Sequence, residues 1–174
     1  MVCTYLYGEI PKMFFVIGVA YILGILKYTL CMIIMLMPYR AVSGGFHLKT
    51  HIGCIVSTTL YYCGIAKISI YCIFTTNLAK ILATLSVLIF GMIMVKLYAP
   101  ADTENVPILR KKERQQKKVL SYIFLSIGLL IALIIPDNTI SNILILGNLA
   151  QSIMITRLAY KLTNNKYGYE VYQE

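Results

Sequence analysis

Ile81-Leu82-Ala83-Thr84-Leu85-Ser86-Val87-Leu88-Ile89-Phe90-Gly91-Met92-Ile93-Met94-Val95-Lys96-Leu97-Tyr98 carries a single charge, Lys96, close to its end. At about 1.5 Å per helical residue, such a run nearly matches the roughly 30 Å of hydrocarbon in a bilayer. A soluble core of this chain's size has no need of it. Working outward, four more apolar stretches appear: Met13–Met37, Ile52–Thr76, Val119–Pro136 and Ile140–Tyr160. Lys27 interrupts the first and Lys67 the second. A lysine at the bilayer centre costs about 2.5–3.5 kcal/mol, which a kink, a wet pocket or a re-entrant pair relieves. The expected fold is all-α: a polytopic membrane bundle of five to six membrane segments, with residues 1–174 forming a single membrane-embedded domain.

Composition agrees. The chain is 59% hydrophobic and 13% charged, against about a quarter charged in soluble domains. Met1 to Lys12 lacks the basic region and small-residue cleavage site of a signal peptide. The net charge of +9 is concentrated at Arg110, Lys111, Lys112, Arg114, Lys117 and Lys118, between two apolar stretches. Such a cluster marks a cytoplasmic loop beside anionic lipid headgroups, so the partner implied is membrane lipid and not nucleic acid. Tyr98-Ala99-Pro100 stops the third stretch, and Arg110 to Lys118 has the composition of a short interfacial helix. Pro136-Asp137-Asn138 is a tight turn that makes the last two stretches an antiparallel hairpin. The polar, tyrosine-rich tail from Lys161 reads as a fraying end.

Chemistry gathers at one polar break, Arg40-Ala41-Val42-Ser43-Gly44-Gly45-Phe46-His47-Leu48-Lys49-Thr50-His51-Ile52-Gly53-Cys54. Of the five cysteines, Cys3, Cys31, Cys63 and Cys72 have mostly apolar neighbours and suit packing, and no disulfide spacing is present. Cys54 alone has titratable residues close by. A cysteine attacks as thiolate, a form favoured at a helix N-terminus or beside an imidazolium. Thr50 is a plausible N-cap, which places Cys54 near the positive end of a helix dipole. Residues seven apart on a continuous helix are separated by about 10.5 Å along its axis, so His47 reaches Cys54 only if Gly44-Gly45 folds the chain back. His51 lies at i,i+3 and needs no such bend. Spacing therefore favours His51 without settling the choice. The set His47, His51, Cys54 also has the spacing of a three-ligand metal site, though without the glutamate of the His-Glu-x-x-His pattern. A merely structural break is the third possibility.

The string Arg40…Gly44-Gly45-Phe46-His47…Cys54, followed downstream by Ala99-Pro100-Ala101-Asp102-Thr103-Glu104-Asn105-Val106-Pro107-Ile108, resembles the accessory gene regulator B family, AgrB. These are bacterial membrane endopeptidases that process quorum-sensing propeptides. The resemblance runs from about Tyr7 to the end of the chain. It implies a thiol protease with Cys54 as nucleophile and His47 as base, His51 being incidental or supporting, with no metal or cofactor. Arg40, Gly44, Gly45, Asp102, Glu104, Lys111 and Lys112 are the expected supporting or substrate-facing residues. The implied substrate is an AgrD-like signal propeptide with an amphipathic leader, a central signal segment and an acidic tail. The enzyme would remove the tail, hold the signal segment as an acyl-thioester on Cys54, and release a cyclic (thio)lactone. A homodimer in the bacterial plasma membrane is also implied, with the active site near the cytoplasmic face. The chain departs from the family pattern in lacking most of the leader ahead of Tyr7-Gly8-Glu9-Ile10, and in having Val106 where a basic residue is common. Two other readings stand beside this one: an inactive propeptide-binding paralogue, and a metal-dependent membrane enzyme using His47, His51 and Cys54.

Overall fold

The computed structural model describes residues 2–48, 50–71, 74, 76–104 and 107–172, with side chains from Pro11 onward. Lys49, Cys72, Asn105, Val106 and the side chains of Cys3 and of Tyr7-Gly8-Glu9-Ile10 lie outside the described residues. Helices α1 (Val2–Ile22) and α2 (Leu26–Ser43) precede α3 (His51–Thr59). A π turn over Leu60–Gly64 then leads without interruption into α4 (Ile65–Tyr71). The remaining helices are α5 (Asn77–Tyr98), α6 (Lys111–Ile134), α7 (Asn138–Met154), α8 (Arg157–Leu162) and α9 (Gly168–Val171). Among the described residues there is no strand, only one isolated parallel bridge between Gly44 and Ala101.

Local sequence sets these boundaries. Thr50, Thr76 and Thr156 each accept a backbone N–H three residues on, and Asp137 accepts from Thr139 and Ile140, so four helices start at capped ends. The turn at Asp137 returns α7 against α6 as the sequence predicts. Helix α5 stops at Tyr98, before Pro100.

Four expectations need correction. The first apolar stretch is not one segment: it breaks at Leu23-Gly24-Ile25, where Gly24 has φ +68°. Lys27 thus belongs to the first turn of α2 and not to the middle of a span. The basic segment is not a separate interfacial helix either, because Lys111 begins the 24-residue helix α6. The fifth stretch divides into α7 and α8 at Ile155-Thr156. The tail also docks where fraying is expected. Tyr167 is buried, stacks on Tyr160 at 4.2 Å and donates to the Ile155 carbonyl at 2.8 Å.

Among the described residues, three helices are long and apolar enough to cross a membrane: His51–Tyr71, Asn77–Tyr98 and Lys111–Ile134. Pro11–Ile22 is a shorter apolar helix. Their outer faces leave Phe14, Ile22, Val56, Leu60, Ile89, Ile93, Leu130 and Ile134 exposed, as suits contact with acyl chains. Helix α7 lies at the centre, packed by α2, α4, α5 and α6. Its polar residues Ser141, Asn142, Asn148, Gln151 and Ser152 are all buried. Unpaired polar groups cost several kcal/mol in hydrocarbon, and these side chains bond inside the bundle. Ser141 donates to the Ala132 carbonyl at 2.6 Å, Asn142 to Ser69 at 3.4 Å, and Ser152 to Asn148 at 2.8 Å. A Cβ on Gly147 would stand 2.1 Å from Leu36 Cδ1, so the leucine of α2 packs directly on the α7 backbone there and would have to shift to admit a side chain.

Candidate active site

Chain direction brings the two motifs together. The rod His51–Tyr71 leads away from the first motif and α5 returns to the second, so Ser43–Gly45 and Ala99–Asp102 lie side by side. Ala101 N–H donates to the Ser43 carbonyl at 2.8 Å, and Gly45 N–H donates to the Ala101 carbonyl at 3.0 Å. Gly44 has φ +76° and ψ −152°, a region open essentially to glycine. A Cβ there would also stand 2.2 Å from the Ala101 carbonyl oxygen. Gly44 is therefore required both by its own backbone and by its neighbour. Gly45, at φ +144°, completes the fold-back.

Beyond that turn the chain reverses, and His47 Nδ1 comes to 3.9 Å from Cys54 Sγ. Cys54 is buried, whereas the His47 ring is exposed. Thr50 Oγ1 caps α3 by accepting from Gly53 N–H at 3.1 Å, and the Cys54 N–H makes the first intrahelical bond to Thr50 at 2.9 Å. Cys54 thus sits in the first turn of α3. His51 is exposed, and the imidazole within reach of the sulfur is that of His47. The geometry departs from the spacing preference because the glycine turn, not the helix, brings histidine to cysteine. Among the described residues no three His, Cys, Asp or Glu side chains converge to hold a metal ion.

A cavity of about 610 Å³ opens beside His47. Met13, Phe14 and Ile17 of α1 face Met37 and Ala41 of α2 across it, and Arg40, His47, Asp102 and Lys117 supply its polar wall. Arg40 is held from three sides: its Nη1 donates to Gln151 Oε1 at 3.3 Å and to Met154 Sδ at 3.2 Å, and its guanidinium lies 5.2 Å from the Tyr61 ring centroid.

The second motif is a brace. Asp102 is buried, pairs with Arg114 at 3.1 Å and accepts from Ile108 N–H at 2.9 Å. Arg114 also donates to the carbonyls of Ile108 and Pro100, and its guanidinium lies 4.1 Å from the Tyr169 ring centroid. Tyr160 O–H lies within donating distance of the Ala101 and Asp102 carbonyls, at 2.9 and 3.1 Å. Burial raises the Tyr160 and Tyr167 phenols above their ordinary value, reinforced for Tyr160 by Tyr167 and Asp102. Glu104 is half-buried, while Lys111 and Lys112 are exposed at the start of α6.

Sequence reasoning missed Ser43, Tyr61, Tyr160 and above all Gln151, and it placed Arg114 only in the basic cluster and not on Asp102. Gln151 Nε2 donates to Ser43 Oγ at 2.9 Å and to the Gly44 carbonyl at 2.7 Å. The available signal was an amide inside an apolar stretch, in line with Asn148 three residues earlier.

The family model described as accessory gene regulator B matches residues 2–155. A Listeria innocua protein named AgrB-like is 30% identical over 167 residues, covering 95% of this chain and 79% of its own length. An AgrB-like protein of Clostridium acetobutylicum is 30% identical over 159 residues, covering 91% and 74%. An AgrB-like protein of Listeria monocytogenes is 28% identical over 166 residues, covering 95% and 79%. No solved structure matches the chain.

Proposed function

The chain belongs to the accessory gene regulator B family, whose members act in quorum sensing, and from that footing we propose that it is a membrane cysteine endopeptidase that matures an AgrD-like signal propeptide. The observation that supports this reading is the 3.9 Å approach of His47 Nδ1 to Cys54 Sγ beside an apolar cavity. In this mechanism His47 Nδ1 takes the thiol proton and the sulfur attacks the scissile carbonyl. The imidazolium then returns the proton to the departing amine of the acidic tail. What remains is the signal segment as an acyl-thioester on Cys54.

A thiol within the peptide then attacks that thioester, closing a ring and freeing Cys54. Exchange between thioesters is nearly thermoneutral, whereas making a thioester from an amide is uphill, so loss of the tail or ring closure must pull the first step. A well-placed internal thiol acts at an effective molarity up to about 10⁵–10⁸ M, and an apolar cavity disfavours competing hydrolysis by water.

Charge supports an orientation. Lys96, Arg110, Lys111, Lys112, Arg114, Lys117 and Lys118 crowd the end that carries the motifs, which by the positive-inside bias faces the cytoplasm. In this reading α2 and α7 complete a bundle of five to six membrane segments, with residues 1–174 acting as one domain. Arg40 and the basic start of α6 attract the acidic tail of the propeptide. Lipid surrounds the apolar faces, and a second copy of the chain pairs with the first in the membrane.

The test is reconstitution in liposomes with a candidate propeptide, followed by mass spectrometry. A trimmed or cyclised product from the intact chain, absent with Cys54→Ala, is the expected result. Unchanged processing by Cys54→Ala would overturn the reading. Activity that resists chelators and falls to thiol alkylation distinguishes it from metal chemistry.

A further inference from the structure

The segment that brings His47 to Cys54 begins with two glycines in left-handed conformations, and glycine is the residue least able to hold a turn by itself. Backbone bonds to Ala101 fix one side of that turn. On its other side lies Gln151, fully buried on α7 and more than a hundred residues away in sequence. Both bonds that Nε2 donates end on the turn, at Ser43 Oγ and at the Gly44 carbonyl. The amide oxygen accepts from Arg40, the last charged residue before the turn. A buried amide left without partners is destabilising, and leucine would fill the same place on a membrane helix without that penalty. The amide is therefore best explained by what it holds.

We propose that Gln151 is a positioning residue for the reactive pair, clamping the Ser43–Gly45 turn to α7 so that the chain beyond it delivers His47 to Cys54. The inference rests on the reading of His47 and Cys54 as that pair, and concerns how the fold assembles it. Arg40, Asp102 and Lys117 are the charged groups sharing the cavity wall with His47. Gln151→Met also frees Arg40 from its amide acceptor, so the cycle with His47→Ala is what separates the placement of the imidazole from a shift of the guanidinium.

The experiment is a double-mutant cycle on the full chain in lipid nanodiscs. It follows alkylation of Cys54 by iodoacetamide, resolved from the other cysteines by peptide mass spectrometry. His47→Ala and Gln151→Met each slow the reaction on the order of ten-fold, and the double variant is no slower than His47→Ala alone. A Gln151→Met variant that reacts at the parent rate overturns the proposal. So does a double variant whose slowing is the product of the two single effects, because the amide would then act independently of His47. Should Gln151→Met fail to fold, Ser43→Ala takes its place: it removes one acceptor, is expected to slow alkylation a few-fold, and overturns the proposal by leaving the rate unchanged. Alkylation requires no propeptide. A non-additive cycle in a protein that cleaves nothing would retain the clamp and discard the peptidase.

Discussion

Residues 44–48 and residues 99–104 lie side by side at one end of the bundle, yet the first leaves its histidine ring in the open and the second buries Ala101, Asp102 and Thr103. The first turns on glycine and ends beside a thiol, while the second is tied down by Arg114, Tyr160 and the Ile108 amide. The contrast separates two kinds of sequence motif. One turns on glycine to set an imidazole beside a thiol; the other, also rich in polar residues, uses them to make a rigid wall for the first to lean on. Asp102 belongs to the cavity wall, yet its carboxylate is engaged within the protein by Arg114 and the Ile108 amide, which fits a supporting role.

The sharpest way to break this division is to remove the reactive groups. His47→Ala or Cys54→Ala is expected to lower propeptide cleavage by at least about 10²-fold, with the thermal midpoint in detergent unchanged. A comparable drop in stability would place the pair among the braces. Gly44→Ala attacks the seam between the regions. The forced conformation alone costs about 1–3 kcal/mol, and the overlap with Ala101 adds to it, so cleavage and thermal midpoint should fall together. Asp102→Asn keeps an acceptor for Ile108 but leaves Arg114 unpaired, for an expected loss of about 1–3 kcal/mol in stability. Its residual activity should track the folded fraction, which chemical denaturation measured beside kinetics would check.

Smaller effects lie outside the seam. Glutamate at both Lys111 and Lys112, which are exposed, should weaken capture of an acidic-tailed peptide a few-fold at low salt, and the difference should fade near 1 M salt, where the Debye length is about 3 Å. Cleavage indifferent to the reversal would remove these lysines from the substrate path. The smallest effect concerns the docked tail. Tyr160 and Tyr167 have raised phenol values, so their contribution is complete below pH about 10, the unfolded value, and is lost as the pH climbs through the higher folded values. Limited proteolysis at Lys161 and Lys166 should therefore accelerate only at strongly alkaline pH.

Much of this was legible in the chain, and the failures have physical causes. Apolar run length located the spans, Thr50 marked the start of α3, and Pro100 the end of α5, because each depends on residues close in sequence. The break at Gly24 escaped notice because apolar residues flank it on both sides, so hydropathy ran through it. Lys27 was the visible symptom, pointing to a flaw whose cause lay just upstream. The preference for His51 over His47 came from extending helical geometry backward past its cap. Gln151 was invisible for a different reason: its partners on the glycine turn lie more than a hundred residues upstream. No local pattern encodes such a contact.

The π turn at Leu60–Gly64 has a consequence for how the chain tolerates change. Such a turn winds one residue more than an α-helix would, and each residue of an α-helix accounts for about 100° of rotation. Below it, Ser69 is fixed to Asn142 of α7; above it, Cys54 faces the imidazole. The turn therefore sets the phase between the anchor and the Cys54 thiol, like an extra tooth on a gear. Trimming one residue from it would yield a more regular rod whose sulfur points elsewhere, so the number of residues between Cys54 and Ser69 is constrained as well as their identity.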